Sequence, residues 1–393
     1  MELLKRNENN LIFFIFFIII FLGFFLCFIG GYGSDEDTIP MLHVFDSLLN
    51  GGRFVSSRFT GNPVAELGIG FLSYYFGSFA ANLATYLFLL LGLIFFFLTF
   101  SKDKSLSKII FFLFFCLTSP IIFFDNLEPI DYSWAFFFFS CGVFFLSKKL
   151  FEIAVVMFAF AIGTRINYVL FVLFVILFYH FKDDISLPRR INLFICSFIF
   201  GGLFYLPIWF DNSFGLSWLT AARPIDQGIF GLLARFSYKI YITLGYVSTF
   251  FIFFFFFKNL NKIKLFSNLN VLLVLCFGNL LIFLWIPAEF SYLQLFLIIV
   301  LFLIFNLNNK TAFYLICLGN LISWIIFINP INIQYVDNSY CGPKNAISAN
   351  FKIKVEKGFF IKYLDSREKI KCWVDDKSEK GIKIINGDAI RMN

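Results

Sequence analysis

A chain of 393 residues that is 60% hydrophobic and only 15% charged, with a mean hydropathy of +0.83, stands far from the roughly 25% charged residues of a water-soluble domain. That composition excludes a soluble globular fold. The net charge of +7 is spread thinly along the chain, and no nucleic-acid partner is expected. The 65 phenylalanines rise together with Ile, Asn and Lys, so runs such as Phe253 to Phe257 read as lipid-facing filler from a coding bias rather than as an aromatic cofactor box.

Apolar runs near the roughly 20 residues that a spanning helix needs recur from Leu11 to Phe327, separated by short charged or turn-rich stretches. The expectation is an all-α polytopic membrane protein with about 11 transmembrane helices. The first run follows Lys5 and Arg6. It is too long for the apolar region of a signal peptide, and no small-residue cleavage site precedes the acidic loop, so it is kept as an anchor. Placing the N-terminus in the cytoplasm puts 14 Lys and Arg in the inside connections, from Lys5 and Arg6 through Lys108 to Lys310. Six remain outside before the tail: Arg53, Arg58, Arg165, Arg223, Arg235 and Lys239. An odd number of spans then leaves the C-terminus extracytoplasmic, in a plasma (inner) membrane setting.

The first outer loop is the most informative stretch. Asp35, Glu36 and Asp37 stand at the exit of the first membrane helix. A short interfacial helix follows, with Leu42, Phe45, Leu48 and Leu49 as its apolar stripe, and Gly51-Gly52 ends it. Arg53, Arg58 and the turn Thr60-Gly61-Asn62-Pro63 come next, and Glu66 opens the following helix near its positive end. A second outer loop again carries three acids, Asp125, Glu128 and Asp131. Two acidic loops on one face, with Arg58, Arg165, Arg223 and Arg235 near it, form a candidate pocket for an anionic phosphate, which the planar fork of arginine can bind bidentately. The pair of short spans around Gly163 and Arg165 could also be one broken or re-entrant helix.

The last segment changes character. From about residue 329, Lys, Asp and Glu alternate with short apolar triplets, as in Phe351-Lys352-Ile353-Lys354-Val355 and Ile382-Lys383-Ile384-Ile385. Period-two alternation bounded by Gly358, Gly381 and Gly387 predicts a small β-rich extracytoplasmic appendage over 329–393, after a transmembrane domain over 1–328. Six cysteines (27, 116, 141, 196, 276 and 317) fall in apolar spans as small hydrophobes. Cys341 and Cys372, alone in the tail, could bridge in an oxidising exterior. No CxxC or Cys/His cluster points to zinc or haem.

The stretch from Asp35 to Glu66, with its acidic motif, interfacial helix ending in Leu-Leu-Asn-Gly-Gly, and Ser57-Arg58-Phe59-Thr60-Gly61-Asn62-Pro63, resembles the first outer loop of the GT-C class of polytopic glycosyltransferases. Gly163-Thr164-Arg165-Ile166-Asn167-Tyr168 is similar to that class's Gly-x-x-x-Arg-type turn, and Ile286 to Leu293 to its late Pro-x-Glu-x-x-Tyr-Leu turn. At Leu295 the chain departs from the proline with which many members continue. The resemblance implies transfer of a sugar from a polyprenyl-phosphate carrier, within membrane lipids, to a lipid, glycan or protein acceptor. Such transfer needs a base, for which Asp35, Glu36 and Asp37 are the candidates, and cations at the leaving phosphate, for which Arg58, Arg165 and Arg223 are the candidates. Glu66, Asp125, Glu128, Asp131 and Glu289 would bind substrate. A divalent metal ion is compatible with the site but not demanded.

No P-loop and no long cytoplasmic domain are present, which disfavours an ATP-driven pump or a nucleotide-sugar enzyme. A lipid-linked saccharide polymerase or ligase, and a transporter or flippase, remain the competing classes. The first would lean on the late outer loop from Asp211 to Arg235, and the second on ionisable groups at mid-span and a repeated half.

Overall fold

The computed structural model of the chain describes residues 2–29, 31–32, 38–52, 54, 56–57, 61–179, 185–211, 228–264, 268–285, 290–335, 346–364, 382–385 and 388–391. Helices α1 (Glu2–Ile29), α2 (Thr38–Gly51) and α3 (Pro63–Phe100) lead into α4 (Leu106–Leu117), α5 (Pro120–Phe124), α6 (Asp131–Ser147) and α7 (Phe151–Thr164). Then come α8 (Tyr168–Phe178), α9 (Leu187–Leu203), α10 (Leu206–Asp211), α11 (Gly228–Leu244), α12 (Tyr246–Lys258) and α13 (Leu260–Ile263). α14 (Leu269–Trp285), a 3-10 turn (Phe290–Leu293), α15 (Gln294–Phe305) and α16 (Lys310–Ile325) complete the bundle.

The chain is an integral membrane protein. Among the described residues, α1 from Asn10 onward and α3 are each long and apolar enough to cross a membrane alone, and α11 and α12 do so as a pair bent by 92°. The bend sits at Gly245, whose φ of +77° is a conformation that glycine adopts at little cost. The remaining apolar helices are shorter than expected, because polar turns interrupt the apolar runs: Arg165 to Asn167 separates α7 from α8. α3 has 38 residues, about 57 Å at 1.5 Å per residue, nearly twice a hydrocarbon core of about 30 Å. Gly77, at φ +76°, breaks it. Just before and after that break Phe71, Tyr74, Tyr75, Phe76 and Phe79 are exposed, the placement of aromatic rings at a membrane–water interface.

Contacts sort the connections into two ends. At one end Lys108 Nζ donates to Asn308 Oδ1 at 2.6 Å and the Phe100 ring meets Tyr179. At the other, Ser57 meets Glu66, Arg165 meets Asp131, Ser291 meets Asp125, and Trp324 Nε1 donates to the Thr118 carbonyl at 2.8 Å. These are the groupings that the alternation of charged connections predicts.

Three expectations change. Phenylalanine does more than face lipid: Phe250, Phe253, Phe254 and Phe257 are exposed, but Phe96, Phe97, Phe112 and Phe115 are fully buried. Phe97 stacks on Phe112 at 5.1 Å and both meet Phe302 and Phe305, so edge and face contacts between rings build the α3–α4–α15 core. The face of α2 that is buried carries Met41 and Val44, with Phe45 placed against Gly70, while Leu49 is exposed. Positions three and four apart from Met41 are the ones that meet the first turns of α3. Cys196 is exposed rather than buried, on α9, where Ile191, Ile195, Phe198 and Ile199 also face outward.

The tail begins without a loop. β1 (Ile326–Tyr335) follows α16 directly and pairs antiparallel with β2 (Ala346–Lys357), which contains the alternating Phe351 to Val355 stretch. β3 (Ile382–Ile385) pairs with β4 (Asp388–Arg391). The first hairpin is seated on the bundle: Gly358 N–H donates to Ile325 O at 2.9 Å, Tyr241 Oη to Ile328 O at 2.8 Å, and Phe124 meets Tyr363. Cys341 and Cys372 lie outside the described residues.

Candidate functional site at the carboxylate end of the bundle

Four chain breaks meet at one end: the start of α3, the start of α6, the α7–α8 turn and the 3-10 turn before α15. Asn62 precedes α3, and Pro63 opens it, where its missing N–H costs nothing. This places Glu66 in the first turn, fully buried, with one carboxylate oxygen, Oε1, taking the Ser57 N–H at 3.0 Å and also the Ser57 hydroxyl. Among the described residues the other oxygen, Oε2, is buried and has no partner.

Asp131 is the first residue of α6 and is also fully buried. Its Oδ2 sits 2.7 Å from Arg165 Nη1, while its Oδ1 has no partner among the described residues. Arg165 leaves helical geometry at the end of α7 (φ −147°, ψ 118°), which turns its side chain back toward α6. Its guanidinium lies over the Tyr132 ring at 3.9 Å and the Tyr292 ring at 4.7 Å. A buried guanidinium held by a carboxylate and two ring faces keeps its charge while being shielded from lipid. Asp131 is close enough to act electrostatically on Glu66, and both act on Tyr205, whose hydroxyl donates to Ile162 O at 2.9 Å.

The second acidic loop is fixed rather than solvated. Asn126 and Glu128 are buried, Asn126 Nδ2 donates to Ile122 O at 2.8 Å, and its Oδ1 accepts from the Ser133 hydroxyl. Ser291 Oγ donates to Asp125 Oδ2 at 2.6 Å, tying this loop to the late turn. The cavity between Tyr132, Arg165, Asn167, Asn279, Ser291 and Gln294 has a volume of about 10 Å³, room for one water at most.

The structure thus brings together Glu66, Asp125, Asp131 and Arg165, with Glu128 buried in the same loop. Asp35, Glu36, Asp37, Arg58, Arg223 and Glu289 lie outside the described residues. The flanks of the acidic triplet are anchored at this end: Asn82 Nδ2 on α3 donates to Gly31 O at 2.6 Å, and Tyr32 and Met41 pack with Ala65 and Ile69. Ser57, Tyr132, Tyr205 and Tyr292 carry contacts that the sequence did not assign. In a chain with 65 Phe and 16 Tyr, a tyrosine at a helix boundary was the available signal that a hydroxyl or a polarised ring is needed there. Among the described residues no three His, Cys, Asp or Glu side chains gather into a metal-binding group.

No protein-family model and no curated protein sequence matches the chain. Among solved structures it is similar to ArnT from Cupriavidus metallidurans in the apo state, with a TM-score of 0.53 and 12% sequence identity over 74% of this chain and 58% of that one. The fold is GT-C-like. The chain spans less than two thirds of the length of ArnT, and at this identity the likeness bears on architecture alone. It agrees with the architecture implied by the motifs around Glu66, Arg165 and Tyr292, which in this structure converge at one end.

Proposed function

We propose that this protein is a membrane glycosyltransferase that moves a sugar from a polyprenyl-phosphate carrier to a lipid, glycan or protein acceptor at the extracytoplasmic face. The observation that carries this reading is the convergence of Glu66, Asp131 and Arg165 with the anchored flanks of the Asp35–Asp37 triplet at one end of a GT-C-like bundle. In the reaction the acceptor hydroxyl attacks the anomeric carbon, the bond from that carbon to the carrier phosphate breaks, the phosphate leaves with the electron pair, and the hydroxyl proton passes to a carboxylate. Asp35 or Asp37 is that base, with Glu36 beside them. Arg58 and Arg223 meet the charge that grows on the leaving phosphate. Arg165, committed to Asp131, holds the carboxylate end in shape. Arginine can neutralise the carrier's single phosphate, so the reading does not depend on a divalent ion.

The test is transfer from labelled polyprenyl-phosphate sugars by purified protein. Asp35→Asn or Asp37→Asn is expected to lower turnover by at least about 100-fold with normal membrane insertion, the scale for loss of a general base, while Asp46→Asn on α2 leaves it unchanged. If both triplet variants and their double mutant transfer normally, the base assignment is wrong and a polymerase or transporter reading takes its place.

A further inference from the structure

The opposite end of the bundle holds a cavity of which the reaction above makes no use. Between α1, α4, α15 and α16 lies a cleft of about 250 Å³. Its walls are Ile12, Phe111, Phe115, Ile304, Phe305 and Phe313, and its polar residues are Lys108, Lys310, Asn308, Asn309 and Tyr314. Among the described residues two cations, Lys108 and Lys310, and no carboxylate line it. Lys108 is held in place by its 2.6 Å hydrogen bond to Asn308 Oδ1 and by the Phe305 ring 5.7 Å away. Asp103, the neighbouring acid that feels the Lys108 charge, turns back to the Ser105 N–H at 3.0 Å. The side of α16 next to the cleft is lipid-facing, with Tyr314 and Leu318 exposed at 41% and 56%.

An apolar slot that opens sideways onto lipid and ends in two lysines matches one chemistry: a phosphate-bearing headgroup with acyl chain attached. Basic pockets between membrane helices hold anionic headgroups in this way, the charge meeting phosphate and the rings meeting methylenes. We propose that this cleft binds an anionic phospholipid of the leaflet opposite the carboxylate site. Lys108 and Lys310 contact the headgroup phosphate, and the Phe111, Phe115 and Phe313 rings cover the first part of an acyl chain.

The test uses the full chain purified in detergent and exposed to an equimolar mixture of phosphatidylglycerol and phosphatidylcholine, with retained lipid counted by native mass spectrometry. Wild type is expected to retain phosphatidylglycerol preferentially. The double variant Lys108→Gln/Lys310→Gln is expected to lose that preference by about ten-fold, and each single variant to lose part of it. The pair Lys102→Gln/Lys104→Gln, equal in charge change but outside the cleft, should leave it intact. Inorganic phosphate at millimolar concentration should displace nothing. Equal retention of the two lipids by wild type, an unchanged preference in all the cleft variants, or displacement by inorganic phosphate would each overturn the assignment, the last in favour of a soluble anion. Should the double variant lose monodispersity, the single variants carry the same test.

Discussion

Arg165 on the α7–α8 turn and Asp131 at the start of α6, 34 residues apart in sequence, form an ion pair of 2.7 Å at side-chain exposures of 6% and 0%. Removing one partner leaves a buried charge uncompensated. Arg165→Met or Asp131→Leu alone should therefore cost about 3–5 kcal/mol, whereas the double apolar variant should recover most of that loss. Thermal unfolding of the four proteins in one detergent gives the cycle. Additive losses would mean that the two side chains do not depend on each other. Arg165→Lys should fall between, because lysine keeps the charge but not the plane that lies over Tyr132 and Tyr292.

Glu66 is tested separately from the triplet. Its Oε2 has no partner among the described residues, while Ser57 holds Oε1. Under the proposed function, in which Glu66 binds substrate, Glu66→Gln should raise KM for the lipid-linked donor by about ten-fold or more with kcat less affected, the pattern for lost ground-state and transition-state binding together. Ser57→Ala removes the hydroxyl donor to that carboxylate but keeps the backbone N–H bond, and should change KM less than Glu66→Gln does. A kcat collapse with unchanged KM in Glu66→Gln would instead place Glu66 among the reacting groups.

Sidedness can be read with introduced cysteines. Asn126, although in an outer loop by charge alternation, is only 1% exposed and would report burial rather than sidedness. Asn50 on α2 and Ser105 before α4 are both exposed. In intact cells an impermeant thiol reagent should modify Asn50→Cys and spare Ser105→Cys, with mass spectrometry of the labelled peptide separating these sites from the exposed Cys196. The reverse pattern inverts the orientation and moves the carboxylate end to the cytoplasm.

The tail hairpin carries a pH dependence. Partial burial alone would push the Glu356 carboxyl up, but hydrogen bonds from Lys362 and Asn329 and the nearby Lys354 charge outweigh it and hold the carboxyl below its ordinary range. A depressed carboxylate contributes stability that is fully present above its unfolded value, near 4.3, and is lost as pH falls through the folded value. Protection of the β1–β2 amides, taken relative to their intrinsic exchange rate at each pH, should therefore fall on acidification below about pH 4.3, and Glu356→Gln should flatten that response. An identical pH profile in the variant would remove Glu356 as its source.

Local features of the site were legible because local chemistry writes them. Pro63 followed by Glu66 marks a helix start, Gly163 to Asn167 marks a break, and the alternation at Phe351 to Val355 marks a strand; all three lie where expected. Two facts were not legible. Asp131 read as a substrate-binding acid with nothing to show that one of its oxygens pairs with Arg165, and the burial of Asn126 and Glu128 in their loop had no signal in the sequence. Pairings between helices depend on how turns aim side chains across the bundle. No spacing along one chain encodes that Ser291 reaches Asp125 or that Tyr292 covers Arg165.

The shortness of α7 and α8 has a consequence for the lipid. With 14 and 11 residues they are about 21 Å and about 17 Å long, against a hydrocarbon layer of about 30 Å. Such hydrophobic mismatch is relieved by drawing the leaflet inward around the short elements. Thinning of this kind around α7 and α8 would bring the headgroup level closer to the turn that bears Arg165. Under the proposed function, a carrier phosphate at that level would meet the carboxylate end with its polyprenyl chain still within the leaflet.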